Sequence, residues 1–134
     1  GTQLVAGDFQ IGEGSALHMT SVGKAILAFQ PRDFINAYLQ KPLSPSTPHT
    51  ITDPVTLTTE LGRIRAEGIA YDHYELALGM KCVAVPTRDT NGAVRAGISI
   101  SGPDSRFSET KLHELGRLIA AEAAILQRMR VGDV

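Results

Sequence analysis

Residues 81–101 read KCVAVPTRDTNGAVRAGISIS, two runs that alternate with period two around the dipeptide Asn91-Gly92. The alternation predicts strands over residues 81–87 and 93–101, and Asn-Gly is typical of a two-residue hairpin turn. In an antiparallel pair the residue numbers of facing partners add up to the same value. Position 82 is therefore predicted to pair with 101, 84 with 99 and 86 with 97. This register decides which side chains share a face of the sheet.

The two faces of the hairpin differ in chemistry. One face is β-branched and apolar, and it consists of Val83, Val85, Ile98 and Ile100. Such a face is predicted to pack against helices. The opposite face has only small residues, namely Cys82, Ala84, Pro86, Gly97, Ser99 and Ser101. Small residues leave volume, and a few polar groups converging in a hollow are typical of a ligand site. A solvent-exposed face of small polar residues is the alternative.

Helical and extended patterns flank the hairpin. Asp53 as N-cap, Pro54 at the first position and Gly68 at the end predict one helix. Others are predicted from Ser21 to Pro31, over residues 32–39 and from Ser108 onward, with further strands over residues 4–6 and 69–74 and a glycine-rich loop over residues 7–14. The last helix has a predicted buried stripe of Leu112, Leu115, Ile119, Leu126 and Met129. The proline-rich residues 42–50 predict an extended loop that could serve as a lid. The order of strand, helices, three strands and helix predicts an α+β fold.

Composition narrows the class of protein. The 134 residues are 43% hydrophobic and 20% charged, as in one globular domain. A net charge of −1 provides no basic surface for a phosphate backbone, so DNA is a poor partner for this piece. The single cysteine, Cys82, excludes an internal disulfide and a cysteine-rich zinc site. There is no apolar run of about 18 residues and no signal peptide, so we expect a cytoplasmic protein without a membrane partner.

Three further features point to the face of small residues. Thr20 or Ser21 can cap the helix that follows, whose first-turn amides attract anions. Asp72 in its strand is a candidate ligand contact, and so is Cys82. Each has a plainer explanation: an ordinary helix terminus, an exposed aspartate and a small buried hydrophobe. The four histidines have no metal-binding spacing, and Gly23-Lys24-Ala25 lacks the residues that complete a phosphate-binding loop.

Four segments resemble, in order and spacing, the effector-binding domain of the IclR family of bacterial transcriptional regulators. They are residues 17–28 (LHMTSVGKAILA), 64–72 (IRAEGIAYD), 78–86 (LGMKCVAVP) and 98–103 (ISISGP). The resemblance implies a GAF-like or profilin-like antiparallel sheet flanked by helices, with a pocket for a small organic acid. It also implies that residues 1–134 are an N-terminally truncated effector-binding domain, without the winged helix-turn-helix that binds DNA.

Carried over position by position, the family's ligand contacts fall on the backbone amides of Ser21 and Val22 and on the side chains of Asp72, Cys82, Ser99 and Ser101. The resemblance implies a sensor with no cofactor and no catalytic residue. Its effector would be a keto or hydroxy acid such as glyoxylate or pyruvate, or an aromatic or sugar acid. We expect the apolar wall around it to be formed by Leu17, Met19, Leu43 and Met80.

Two other functions stay open at this point. One is a thiol-dependent enzyme that uses Cys82 together with Asp72. The other is a dimerisation module with a vestigial pocket. A truncated sheet would expose strand edges, so we expect self-association, as a homodimer or a homotetramer.

Overall fold

The computed structural model describes residues 3–8 and 16–130, and their fold is α+β, as predicted. The strands are β1 (Gln3–Asp8), β2 (Ala70–His73), β3 (Met80–Arg88) and β4 (Val94–Pro103). The helices are α1 (Ser21–Leu27), α2 (Arg32–Gln40), α3 (Pro54–Glu67) and α4 (Glu109–Arg130). Short 3-10 turns occupy Leu17–Met19 and Asp104–Arg106. The loop predicted over residues 7–14 lies largely outside the described residues, and Gly7 and Asp8 belong to β1.

The sheet is antiparallel throughout, in the order β1-β4-β3-β2. The predicted register is confirmed, because Cys82 pairs with Ser101, Ala84 with Ser99 and Pro86 with Gly97. Strand β1 adds to the far side of β4. The hairpin is therefore the centre of the sheet, with β2 at one edge.

The predicted two-residue turn is wrong. Asp89 N–H donates to Ala93 O (2.8 Å) and Gly92 N–H to Asp89 O (3.0 Å), which leaves a three-residue loop with Gly92 at φ +83°. The Asp89 carboxylate accepts the N–H groups of Asn91 and Ala93, and this side-chain bonding favours the longer turn. A bulge then leaves Arg95 without a partner in β3, and it restores the predicted register.

Helices cover both faces of the sheet. Helix α4 covers the β-branched face, where Val83 and Val85 pack with Phe107, Leu112 and Ile119. Helix α1 covers the face of small residues, which excludes the solvent-exposed alternative. At Gly97 a Cβ atom would lie 2.8 Å from Val22 Cγ2 and from Val85 O. Small residues on this face therefore allow the helix to approach the backbone of the sheet.

Two helix predictions need correction. Helix α1 ends at Leu27 rather than Pro31. The N–H groups of Phe29 and Gln30 donate to Ile26 O and Leu27 O, three residues back, which is the tighter 3-10 pattern. In α4 the buried stripe was expected to reach Leu126 and Met129, which are 46% and 58% exposed. Contact of α4 with its core cluster ends at Ala123, so these two side chains lie beyond it.

The remaining predictions for the helices are confirmed. The Asp53 side chain caps α3 by accepting Thr56 N–H (2.9 Å), and Gly68 ends the helix at φ +76°.

Residues 42–50 form a loop, but Leu43, Thr47 and Thr50 within it are buried. None of the helices in the described ranges has the length and apolar character that crossing a membrane requires.

Candidate functional site

Three neighbouring strands place three of the predicted polar residues in one row and the fourth in the adjacent row. Asp72 pairs with Cys82, and Cys82 pairs with Ser101. Ser99 lies in the next row, opposite Ala84. Asp72, Cys82 and Ser99 are buried and Ser101 is partly buried. The sequence prediction thus brings four side chains together on the face that α1 covers.

The Asp72 carboxylate is the most unusual group in this row. Its Oδ1 atom accepts Glu75 N–H at 2.7 Å, whereas its Oδ2 atom is buried and has no hydrogen-bond partner among the described residues. The side chain belongs to a residue that is only 1% exposed. Burial raises the pKa of Asp72 to about 6; the charge of Glu75 adds to this, while Glu75 N–H and Lys24 oppose it. A buried acceptor without a donor is costly, and it marks a position that a ligand or water would satisfy.

Cys82 does not have the properties of a nucleophile. Burial, followed by the charge of the neighbouring Asp72, raises the pKa of the Cys82 thiol to about 12. The Cys82 thiol lies near the Asp72 carboxylate, but the two groups do not have the geometry of a hydrogen bond to Oδ2. A thiol with such a pKa is protonated at neutral pH, so it can line a pocket but cannot attack a substrate.

The first turn of α1 brings backbone donors to the same face. Thr20 is the cap, because its Oγ1 accepts Gly23 N–H at 2.9 Å. The first intrahelical bond runs from Lys24 N–H to Thr20 O (2.9 Å), so the amides of Ser21 and Val22 precede it. Helix α1 packs on β3 and β4. Its N-terminal end, which carries these two amides, therefore lies over the sheet.

Gly23 is required by the path of this segment. A Cβ atom there would lie 2.4 Å from Leu17 O and 2.8 Å from Leu17 Cα. Distances this short would force the 3-10 turn away from α1. The glycine thus fixes how the turn before α1 meets the helix.

Sequence reasoning missed the role of Lys24. Its side chain is fully buried, and its Nζ atom bonds Glu60 Oε2 (2.9 Å), Glu75 Oε1 (2.8 Å) and Tyr71 O (2.8 Å). In the sequence Lys24 belongs to Gly23-Lys24-Ala25, which lacks the residues of a phosphate-binding loop. The available signal was a lysine in a helix whose other residues from 22 to 27 are apolar or glycine, since such a lysine needs buried partners.

The predicted apolar wall does not form one surface. Leu17 and Met19 line a cavity of about 230 Å³ against α2, together with Phe34 and Tyr38. Leu43 packs into the core beside α1, and Met80 lies at the first position of β3. Leu17 and Met19 share one 3-10 turn and this cavity, whereas Leu43 and Met80 lie on two other segments.

The described histidines support neither a metal site nor a base for Cys82. Among the described residues, no group of histidine, cysteine and carboxylate side chains has the arrangement of a metal site. His73 lies on the opposite face of β2 from Asp72, as the alternation predicted, and its Nε2 atom contacts Glu109 Oε1 at 2.8 Å. It is therefore not positioned to act as a base for Cys82.

Residues 1–128 match the family model described as bacterial transcriptional regulator IclR C-terminal. The chain is 40% identical over 116 residues to the HTH-type transcriptional regulator BhcR of Paracoccus denitrificans. That alignment covers 86% of this chain and 42% of BhcR, so the chain spans less than half of that relative.

Two solved structures show the same fold. The Thermotoga maritima IclR has a TM-score of 0.80 and 41% identity, over 86% of this chain and 47% of that one. The inducer-binding domain of the PobR transcription factor from Acinetobacter, a double mutant in complex with 3-hydroxybenzoic acid, has a TM-score of 0.78 and 27% identity. That alignment covers 84% of this chain and 66% of the PobR domain.

Proposed function

The chain belongs to the IclR family of bacterial transcriptional regulators, as their C-terminal domain, and on this premise we propose that it binds a small organic acid as the effector of a larger regulator. The observation that carries the proposal is the Asp72 carboxylate, whose buried Oδ2 atom accepts from no donor within residues 3–8 and 16–130. Its place beside Cys82, Ser99 and Ser101 supports a polar pocket lined by small residues.

The chemistry of the row favours a ligand with two different polar ends. The amides of Ser21 and Val22 would hold a carboxylate, which needs donors and no basic side chain. Asp72 would accept from a hydroxyl group of the ligand or from a bridging water, while the hydroxyls of Ser99 and Ser101 donate or accept. The acid bound to the PobR domain carries a carboxylate and a hydroxyl, as this division requires. Keto and hydroxy acids of two to four carbons, such as glyoxylate and pyruvate, are the smallest candidates.

The complete regulator would use this domain to control a separate DNA-binding part. We propose a homodimer or homotetramer in the bacterial cytoplasm, in which the effector changes the relative stability of two subunit arrangements. DNA would contact only a winged helix-turn-helix outside residues 1–134, because this piece has a net charge of −1. The thiol-dependent enzyme has no support, since the relatives are transcriptional regulators and Cys82 remains a thiol at neutral pH.

The first test is a thermal-shift screen of small carboxylic acids, followed by calorimetry on each acid that raises Tm. A ligand that binds only the folded state must raise Tm. Asp72→Asn and Ser99→Ala should each lower the affinity for a genuine effector by about tenfold or more, which is the effect of losing one good hydrogen bond. The matched control Thr59→Ala changes an exposed hydroxyl on α3 and should bind as the wild type does. Equal binding by all four proteins would contradict the proposed site.

A further inference from the structure

The turn after β2 is held by hydroxyl groups from a distant loop. Three consecutive carbonyls, at positions 74–76, each accept from a side chain within residues 46–50. The pairs are Thr47 Oγ1 to Tyr74 O (2.5 Å), Thr50 Oγ1 to Glu75 O (2.5 Å) and Ser46 Oγ to Leu76 O (2.7 Å). The loop that was predicted as a lid is thus tied to this turn, and we refer to residues 46–50 as the strap.

Thr50 is the central residue of the strap. Its single O–H donates to Glu75 O, and its oxygen accepts the N–H groups of Ser46 (2.9 Å) and Thr47 (3.0 Å). The residue is 7% exposed, so these three bonds satisfy a buried hydroxyl. Valine has nearly the same shape and would remove all three bonds.

The turn that the strap holds is strained. Tyr74 has φ +65°, a left-handed conformation that costs a residue with a side chain about 1 kcal/mol or more. Such a conformation persists only when surrounding bonds impose it. Here Tyr74 N–H donates to Met80 O (3.0 Å), and its carbonyl accepts from Thr47. Without the strap, the turn would be free to relax.

The same turn sets the orientation of Asp72. Glu75 N–H donates to Asp72 Oδ1, and the Glu75 side chain is bound by Lys24 and by His73 N–H (3.2 Å). With Oδ1 engaged, Oδ2 is the only carboxylate oxygen left for another donor. We infer that the strap, through Thr50, is a positioning device that makes Asp72 present a single acceptor atom to the ligand. The inference rests on the proposed function and adds residues outside the site that determine its geometry.

The test compares Thr50→Val with Thr50→Ser, which keeps the hydroxyl, and with Thr59→Val, which removes an exposed hydroxyl on α3. The ligand-free readout is the NMR shift of the Glu75 amide as a function of pH. In the wild type this amide should follow the titration of Asp72. Glu75, Lys24 and Cys82 are the other titratable groups that face Asp72. A parallel titration of Asp72→Asn measures the part of the shift that these groups cause, which is then subtracted.

We expect Thr50→Val to lose at least half of the pH-dependent shift of the Glu75 amide, whereas Thr50→Ser and Thr59→Val retain it. Affinity for an effector acid should fall about tenfold in Thr50→Val alone, as for one misplaced charge-assisted hydrogen bond. An unchanged Glu75 titration in folded Thr50→Val would overturn the inference.

Two arrangements keep this test decisive. Should Thr50→Val fail to fold, Ser46→Ala removes only the bond to Leu76 O, at an exposed residue, and should give a smaller change in the same direction; no change there would count against the inference. Should no acid bind the wild type, the proposed function fails, while the amide titration still decides whether the strap positions Asp72.

Discussion

At the scale of single residues, Asp72 combines a cost to folding with a use in binding. Asp72 is 1% exposed, and one of its carboxylate oxygens has no donor in the part of the chain that the structure describes. Such a carboxylate destabilises the folded chain when it is ionised. Ligand or water donors would offset that cost and lower the pKa, so binding of a donor ligand would be coupled to proton release from Asp72. Buried ionisable groups of this kind are frequent at functional sites, and burial raises the pKa of Asp72 to about 6, the direction that this cost predicts.

Asp72→Asn should therefore change how stability depends on pH. Burial raises the folded-state pKa from 3.8 to about 6, so the folded wild type binds the proton more tightly than the unfolded chain does. The contribution of Asp72 to wild-type stability should fall as pH rises from about 4 to 6 and stay level above that range. The free energy of unfolding of Asp72→Asn, relative to wild type, should rise by up to about 3 kcal/mol across this window.

Urea unfolding at several pH values, with and without the substitution, measures this difference. Asp53 is the control, because the Thr56 N–H lowers its pKa and its contribution is lost only below its ordinary range. Asp53→Asn should thus leave a flat difference between pH 5 and 7. A flat difference for Asp72→Asn as well would mean that its carboxylate is not buried in solution.

Alternation along the chain was enough to place Asp72, Cys82, Ser99 and Ser101 on one face, because side-chain parity in a strand is local. It could not show that Asp72 has one engaged and one unpartnered oxygen. That distinction depends on Glu75 N–H, three residues on, and on the left-handed conformation of Tyr74. Tyrosine carries no sequence signal for this conformation, so the turn was not predictable.

At the scale of elements, local signals predicted the helices well where caps were present. Asp53, Pro54 and Gly68 fixed both ends of α3. The hairpin register was predicted correctly although its turn was not, because the bulge at Arg95 compensated for the extra loop residue. Bulges have no reliable residue signature, so this agreement depended on two departures from the ideal hairpin that cancel.

Two of the helical glycines, Gly23 and Gly62, should respond to alanine in opposite directions. At Gly23 a Cβ atom would lie 2.4 Å from Leu17 O, whereas at Gly62 in α3 it meets nothing within 4 Å. Gly62→Ala should stabilise the chain by about 0.5–1 kcal/mol through helix propensity. Gly23→Ala should destabilise it by about 1–3 kcal/mol, because the backbone of the preceding turn must move. Chemical denaturation of both variants gives the comparison, and stabilisation by both would contradict the close contact at Gly23.

At the scale of the whole molecule, contacts between distant segments decide what the sequence could not show. The strap joins residues 46–50 to positions 74–76, and Lys24 joins α1 to α3 and to the same turn. Both links close the open edge at β2. Two groups of that edge are bonded within the chain, since Tyr71 O accepts from Lys24 and His73 N–H donates to Glu75. These bonds disfavour the pairing of a second copy at β2.

Lys24 should accordingly be highly sensitive to substitution. Replacement by methionine leaves two carboxylates, Glu60 and Glu75, without their buried cation, and Tyr71 O without a donor. Removing one partner of a buried ion pair costs about 3–5 kcal/mol, a large part of the stability of a domain this size. Urea unfolding of Lys24→Met should show a loss of this order or no folded state at all.

The matched control is Lys111→Met, at an exposed position of α4, which should change stability by less than about 0.5 kcal/mol. Adding Glu75→Gln to Lys24→Met should recover part of the loss, because it removes one of the uncompensated charges. A loss below about 1 kcal/mol in Lys24→Met would show that water or rearranged side chains replace the lysine. The structure instead assigns to Lys24 the connection between the helix over the candidate site and the turn that orients Asp72.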